Sequence, residues 1–232
     1  DPDEFIRELK KDLPSLARID SIETSSYDHL FTDFSIKQST EGSKQSLIPV
    51  DTAVCKDCLH ELFDRENRRY HYPFTNCTVC GARYSVICNV PYDRKQTSMD
   101  EFLLCEQCMK EYENASDRRY HAQTISCSTC GPHYTLYDEN AIKIETDKPI
   151  ESFAQQIDAG LIGVVKSWGG MHLCCTLDCV SSFRSWYHRP QKSFAVMVKD
   201  IDTAKKYAFI SKEEEVLLNS GKRPIVLLKK KK

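Results

Sequence analysis

The chain has 232 residues, of which 28% are charged and 41% apolar, with a formal net charge of −2. That balance supplies no global attraction to nucleic acid or to an anionic membrane, and no apolar run approaches the roughly 20 residues of a spanning helix. The length fits one large domain or two to three small ones. The acidic start, Asp1-Pro2-Asp3-Glu4, lacks a signal-peptide core, so the cytoplasm and its reducing thiol pool are the expected setting.

In chain order, Phe5, Ile6 and Leu9 recur at helical spacing over residues 3–12, and Pro14 ends that segment. Leu16 to Glu23 alternates in an imperfect strand period, and Phe34-Ser35-Ile36 reads as a further short strand. One helix and two strands cannot close a core alone, so the chain is expected to begin in the middle of a domain. Residues 39–47 form a polar linker.

A repeat follows. Cys55-x2-Cys58 is separated by 18 residues from Cys77-x2-Cys80, and Cys105-x2-Cys108 by the same 18 from Cys127-x2-Cys130, 50 positions later. More than cysteine repeats: Glu61 matches Glu111, Arg68 to His71 match Arg118 to His121, Gly81 matches Gly131 and Tyr84 matches Tyr134. Four thiolates per block suit a closed, tetrahedral structural zinc site. CxxC pairs in a reducing compartment favour metal over disulfides. Spacing leaves open whether ligands pair within a block or between blocks, and whether iron replaces zinc at the sulfurs. Few apolar residues lie between 48 and 137, so metal is expected to supply much of the folding energy. Gly81 and Gly131 are expected to allow a tight turn that aims backbone N–H groups at the thiolates. With eight cysteines in place, His71 and His121 read as outer or surface residues, and the Arg-Arg-Tyr triplets as packing around the metal. Cys88, Cys174, Cys175 and Cys179 read as ordinary thiols.

Beyond residue 140 the pattern becomes α/β. Pro149 to Ala159 reads as a helix capped by Gly160, and Leu161 to Val165 as a buried strand. Phe194 to Val198 and Arg223 to Leu228 read as strands, residues 200–219 as one or two helices, and Lys229 to Lys232 as a solvated end.

Between the blocks lie Pro91-Tyr92-Asp93-Arg94, Thr97-Ser98-Met99 and Phe102; around them sit Tyr72 to Cys77, Cys80 to Ser85 and Arg118 to Gln123. With the cysteine spacing, these resemble the HypF family of nickel–iron hydrogenase maturation carbamoyltransferases, most densely over 48–135. Pro14 to Ile19 and Phe34 to Ile36 look like the end of that family's acylphosphatase-like domain. Lys166 to Leu173 and Lys192 to Met197 look like the front of its YrdC-like nucleotide-binding domain. The resemblance implies an α+β multidomain chain: a partial acylphosphatase-like α/β piece at 1–38, a linker at 39–47, a duplicated four-cysteine zinc-knuckle module at 48–137 and a partial YrdC-like twisted-sheet domain at 138–232. The acylphosphatase anion loop, the rear of the YrdC-like domain and the following transferase domain are not in this sequence.

The family is understood to make carbamoyl adenylate from carbamoyl phosphate and ATP and to pass the carbamoyl group to the C-terminal cysteine of HypE, toward a cyanide ligand. Adenylation calls for positioned positive charge around phosphate. By motif, Lys166 is placed beside the carbamate anion and His172 in the same pocket as catalytic residues. Gly169 and Gly170 allow close backbone approach, and Arg189 and Lys192 face the nucleotide phosphates. The implied cofactors are two structural Zn2+ with ATP and Mg2+, and the implied partner is a HypE-type acceptor, with no nucleic acid or membrane. The chain departs from the family pattern at Thr176, Tyr187 and Ser193. The competing readings are a non-catalytic zinc module for protein interaction and a zinc-ribbon RNA binder.

Overall fold

The computed structural model describes residues 1–13, 19–26 and 48–231. Helix α1 (Pro2–Lys11) starts from Asp1, whose side chain accepts from the Asp3 amide, and acidic residues in its first turn and lysines in its last suit the helix dipole. It buries no residue. Residues 19–26 form no strand among the described residues. Residues 14–18, Phe34-Ser35-Ile36 and the linker lie outside the described residues.

The cysteine-rich segment has two short helices, α2 (Lys56–Phe63) and α3 (Glu106–Glu113), joined to single-turn 3-10 segments and irregular loops. Eight residues are too few for a helix to persist alone in water, so tertiary contacts must hold both. They come from two small clusters: Cys58, Cys77 and Cys80 in the first block, and Cys108, Ala122, Ile125 and Cys127 in the second. The described core is thus made largely of sulfur. The connector between blocks is pinned by Arg94, whose guanidinium donates to the Gln123 and Ile125 carbonyls at 2.8 and 2.9 Å and to Phe102 O at 2.6 Å.

Downstream, β1 (Leu136–Tyr137) pairs antiparallel with β2 (Lys143–Ile144), and helix α4 (Pro149–Asp158) follows. Strands β3 (Gly163–Lys166) and β4 (Met171–Cys174) form an antiparallel hairpin, closed by a turn in which the Ser167 amide donates to Gly170 O at 2.8 Å. Helix α4 lies directly against it: a Cβ at Gly163 would meet Phe153 at 2.4 Å and Ile157 at 2.8 Å. Then come α5 (Val180–Trp186), α6 (Ile201–Tyr207), β5 (Ala208–Phe209), α7 (Lys212–Asn219) and β6 (Lys229–Lys230). Ser211 opens α7 with a capping box to Glu214.

Three expectations change. Residues 194–198 and 223–228 are not strands: no described strand lies beside them, and Met197, Ile225 and Leu227 stand open to solvent. Val164 in β3 is 52% exposed, so the strand read as buried is covered on one face only. The lysine end changes in one respect only: Lys229 and Lys230, exposed as expected, also pair with Phe209 and Ala208.

Candidate functional site

Each block closes its own sulfur cage. The Sγ atoms of Cys55, Cys58, Cys77 and Cys80 all lie within 4.8 Å of one another, as do those of Cys105, Cys108, Cys127 and Cys130. Pairing within blocks resolves the alternative the spacing left open. Four sulfurs at about 2.3 Å from a central zinc define a tetrahedron with edges of about 3.8 Å. The pairs Cys55–Cys77, Cys77–Cys80, Cys105–Cys127 and Cys127–Cys130 all measure 3.8 Å, and Cys108–Cys130 measures 3.6 Å. A disulfide would bring sulfurs to about 2.05 Å. The donor set and its dimensions therefore fit zinc.

Local structure explains how the cages form. Cys55 and Cys105 are the N-caps of α2 and α3, which puts Cys58 and Cys108 in the first helical turn, where the helix dipole favours a thiolate. Backbone amides of Cys58, Val79 and Thr129 donate to Cys55, Cys77 and Cys127 sulfur at 3.5, 3.4 and 3.4 Å. The donors in the second CxxC of each block are thus non-glycine residues inside the motif, and the glycines serve otherwise. Gly81 adopts φ +103 and bridges to Thr52, whereas Gly131 gives room to Tyr72 Oη and Ser126, which a Cβ would meet at 2.1 and 2.5 Å. Burial pushes the Cys108 thiol up against the pull of the Arg68 guanidinium, and metal binding takes the thiolate with release of its proton.

The two blocks are locked together by exchange. Arg68 and Arg69 of the first block reach Cys108 Sγ at 3.1 and 3.6 Å, and Arg69 pairs with Glu111 in two contacts of 3.1 and 2.5 Å. Arg118 of the second block reaches Cys58 Sγ at 3.3 Å, and Arg119 pairs with Glu61. Arg69 Nε donates to Ser126 O at 3.0 Å, and Arg119 Nε to Asn76 O at 2.9 Å. Every one of these contacts maps onto its counterpart by the 50-residue offset. Burial alone would raise the Glu61 and Glu111 carboxyls, but the arginines outweigh it and hold both below the ordinary carboxylate value. A cleft of about 500 Å3 runs between these arms. The arginines of the two triplets face cysteine sulfur and carboxylate, in keeping with the expected packing around the cages. His71 and His121 are left-handed turn residues; His71 stacks on Tyr70 at 4.0 Å, and His121 meets Tyr120 edge-on at 4.5 Å.

The motif residues expected to meet nucleotide lie downstream. Lys166 ends β3, and its Nζ donates to Ser167 O at 2.9 Å. Cross-strand partners share a face, so Lys166 stands with Met171, Val164 and Leu173, and His172 stands with Val165 on the opposite face. The two catalytic candidates therefore share a hairpin but not a side of it. His172 Nε2 lies 2.9 Å from Ser167 Oγ, which also donates to Gly170 O at 3.2 Å. Gly169 and Gly170 form the hairpin turn. Arg189 and Lys192 follow α5, where their carbonyls accept from Arg184 at 2.6 and 2.9 Å, and Arg189 lies 5.7 Å from the centre of the Phe194 ring. Arg184, which organises this loop, was missed by motif reasoning; no motif position marks it, and its contacts are to backbone. The turn of the hairpin touches the metal module: Trp168 packs edge-on to Phe74 at 5.2 Å, and Phe74 packs on Tyr134 at 5.2 Å.

Most of the chain matches known families, and nearly all of it aligns with known proteins. Residues 54–87 and 104–137 match the family model described as HypF finger, and residues 155–232 match the one described as Telomere recombination. Carbamoyltransferase HypF2 of Cupriavidus necator is 46% identical over 98% of this chain, and a probable carbamoyltransferase HypF of Methanocaldococcus jannaschii is 44% identical over 97%. The crystal structure of full-length HypF in the phosphate- and nucleotide-bound form superposes with a TM-score of 0.87 at 42% identity over 99% of this chain. That of T. kodakarensis HypF superposes at 0.88 and 44%. The chain spans 29–30% of the length of each of these relatives.

Proposed function

Since the chain belongs to the HypF family of carbamoyltransferases, we propose that it works within hydrogenase maturation. It contributes part of a site that forms carbamoyl adenylate from carbamoyl phosphate and ATP, for transfer to the C-terminal cysteine of a HypE-type acceptor. The observation that carries this reading is the 42–46% identity over nearly the whole chain to proteins so named, one of them holding phosphate and nucleotide. The domain division at 1–38, 39–47, 48–137 and 138–232 belongs to the same reading.

Within it, the eight block cysteines hold two structural zinc ions, and the module is a rigid connector that seats the β3–β4 turn through Phe74 and Trp168. Lys166 meets the carbamate anion from the open face of the hairpin. Gly169 and Gly170 let substrate approach backbone, and Arg189 and Lys192 neutralise the phosphates carried with Mg2+. His172 acts from the other face, where its bond to Ser167 Oγ sets the turn that follows Lys166.

Titration of the zinc-loaded chain with ATP and Mg2+ in a calorimeter tests this assignment, with a metal assay alongside. Two zinc per chain and ATP binding that weakens in Lys166→Ala is the expected result. Two zinc with no ATP binding would confine the chain to a scaffold role.

A further inference from the structure

We propose that the two four-cysteine sites load zinc cooperatively, coupled by the exchanged arginines. The proposal rests on the zinc reading above and goes beyond it.

A zinc ion held by four thiolates leaves its site with a formal charge of about −2, and a buried excess charge needs compensation close by. Here that compensation is exchanged. The guanidiniums at Cys108 are Arg68 and Arg69 of the first block, and those at Cys58 are Arg118 and Arg119 of the second. Arg69 and Arg119 are 2% and 3% exposed. A guanidinium so deeply buried stays only where the opposite block presents its carboxylate, its carbonyl and its thiolate together. Arg68 and Arg69 also sit between Cys58 and Cys77, in the loop that closes the first site; Arg118 and Arg119 sit between Cys108 and Cys127, in the loop that closes the second.

The coupling follows from that placement. Metal at the second site fixes the Cys108 sulfur where Arg68 and Arg69 meet it, which orders the loop that brings Cys77 and Cys80 to the first. Metal at the first site does the same for Cys127 and Cys130 through Arg118 and Arg119. Each ion thereby lowers the ordering cost of the other, which is positive cooperativity. Further cross-block bonds tighten the link, among them Asn76 Nδ2 to Thr124 O at 2.8 Å and Thr78 Oγ1 to Arg118 O at 3.0 Å.

The test is titration of the metal-free, reduced full chain with zinc, followed by native mass spectrometry and by competition with a chromophoric chelator. Metal-free and two-zinc forms should dominate, with the one-zinc form well below the binomial share of independent sites. A one-zinc form at its binomial share would overturn the coupling while leaving the metal reading intact. A final count other than two zinc would count against the metal reading itself. In Cys127→Ser/Cys130→Ser the first site should bind zinc roughly tenfold or more weakly than in the parent chain; unchanged affinity would overturn the proposal. Arg118 is the more exposed of its pair and offers a milder change if the double variant fails to fold. Arg118→Gln should raise the one-zinc fraction and weaken the first site, with Arg118→Lys partly restoring both. A one-zinc fraction unmoved by Arg118→Gln would again count against coupling.

Discussion

The Trp168 indole stands edge-on to the Phe74 ring, with centroids 5.2 Å apart and planes at 81°. Phe74 lies three residues before the third cysteine of the first cage, and Trp168 lies two residues after Lys166. This contact joins the metal module to the hairpin that carries Lys166. Edge-to-face geometry suits the ring quadrupoles and contributes about 0.5–1.5 kcal/mol beyond burial.

Trp168→Ala should therefore loosen the hairpin without emptying the cages. The expected cost is about 1–2 kcal/mol, less than for a fully buried tryptophan because both rings are only partly covered. Hydrogen exchange should rise over residues 163–174, while zinc content stays at the parent value. Unchanged exchange there would mean that the contact does not hold the hairpin.

The exchanged ion pairs predict a larger effect. Glu111→Ala would leave Arg69 buried without its carboxylate, and breaking a buried pair on one side costs about 3–5 kcal/mol. Glu111 keeps 21% of its side chain exposed, so the lower end of that range is expected. Glu61→Ala should act alike on Arg119, whereas Glu106→Ala, which removes an exposed partner of Lys110, should cost under about 1 kcal/mol. Chemical denaturation of the three variants at fixed zinc concentration would rank them.

Acid should remove the same stabilisation. Glu61 and Glu111 have folded pKa values below their ordinary 4.5. A depressed carboxyl contributes stability that is whole above its unfolded value and is lost as pH falls through its folded value. From these two groups, no change is expected between pH 7 and 5, and a decline is expected below about 4.5. Thiolate protonation releases zinc in acid as well, so the comparison belongs in excess zinc. There, Glu61→Gln/Glu111→Gln should start less stable and lose less on acidification than the parent chain.

The cages were legible because ligand chemistry leaves a local signature: the eight cysteines sit in four CxxC pairs at one repeated interval. The repeat also marked Glu61, Arg69, Glu111 and Arg119. Their crossed pairing was not legible, since nothing in a 50-residue offset says whether equivalent residues meet within a block or between blocks. Helix α4 was expected at Pro149 to Ala159, and α6 and α7 fall within the one or two helices expected over 200–219. Residues 194–198 and 223–228 misled because β-rich composition reports a capacity to pair, while a strand exists only where a partner does. Lys166 and His172 lay close in a recognised motif, but the alternation of the hairpin decides their faces.

Zinc removal should unfold α2 and α3 together. Structural zinc contributes on the order of 10–16 kcal/mol per site, and the clusters around these helices consist mainly of its ligands. A chelator under reducing conditions should lower far-ultraviolet helical signal in a single transition, recovered on adding zinc. Helical signal that survives complete removal of zinc would show that packing suffices without it.

Gly131 and Gly160 separate two reasons for glycine. At Gly131 a Cβ would fall 2.1 Å from Tyr72 Oη and 2.5 Å from Ser126 Cβ, in a place where both neighbours are buried and hydrogen-bonded to each other. Accommodation would have to break that bond and shift the second cage, since Ser126 immediately precedes Cys127. At Gly160 the nearest neighbour would be Cys179 Sγ at 3.7 Å, ordinary contact distance, and only φ +95 opposes a side chain. Gly160→Ala should thus cost about 1–2 kcal/mol of backbone strain and leave zinc binding intact. Gly131→Ala should cost more, about 2–4 kcal/mol by overpacking and a lost buried hydrogen bond, and should speed zinc loss to a competing chelator. Equal zinc retention in the two variants would show that the second cage does not depend on the Tyr72–Ser126 contact.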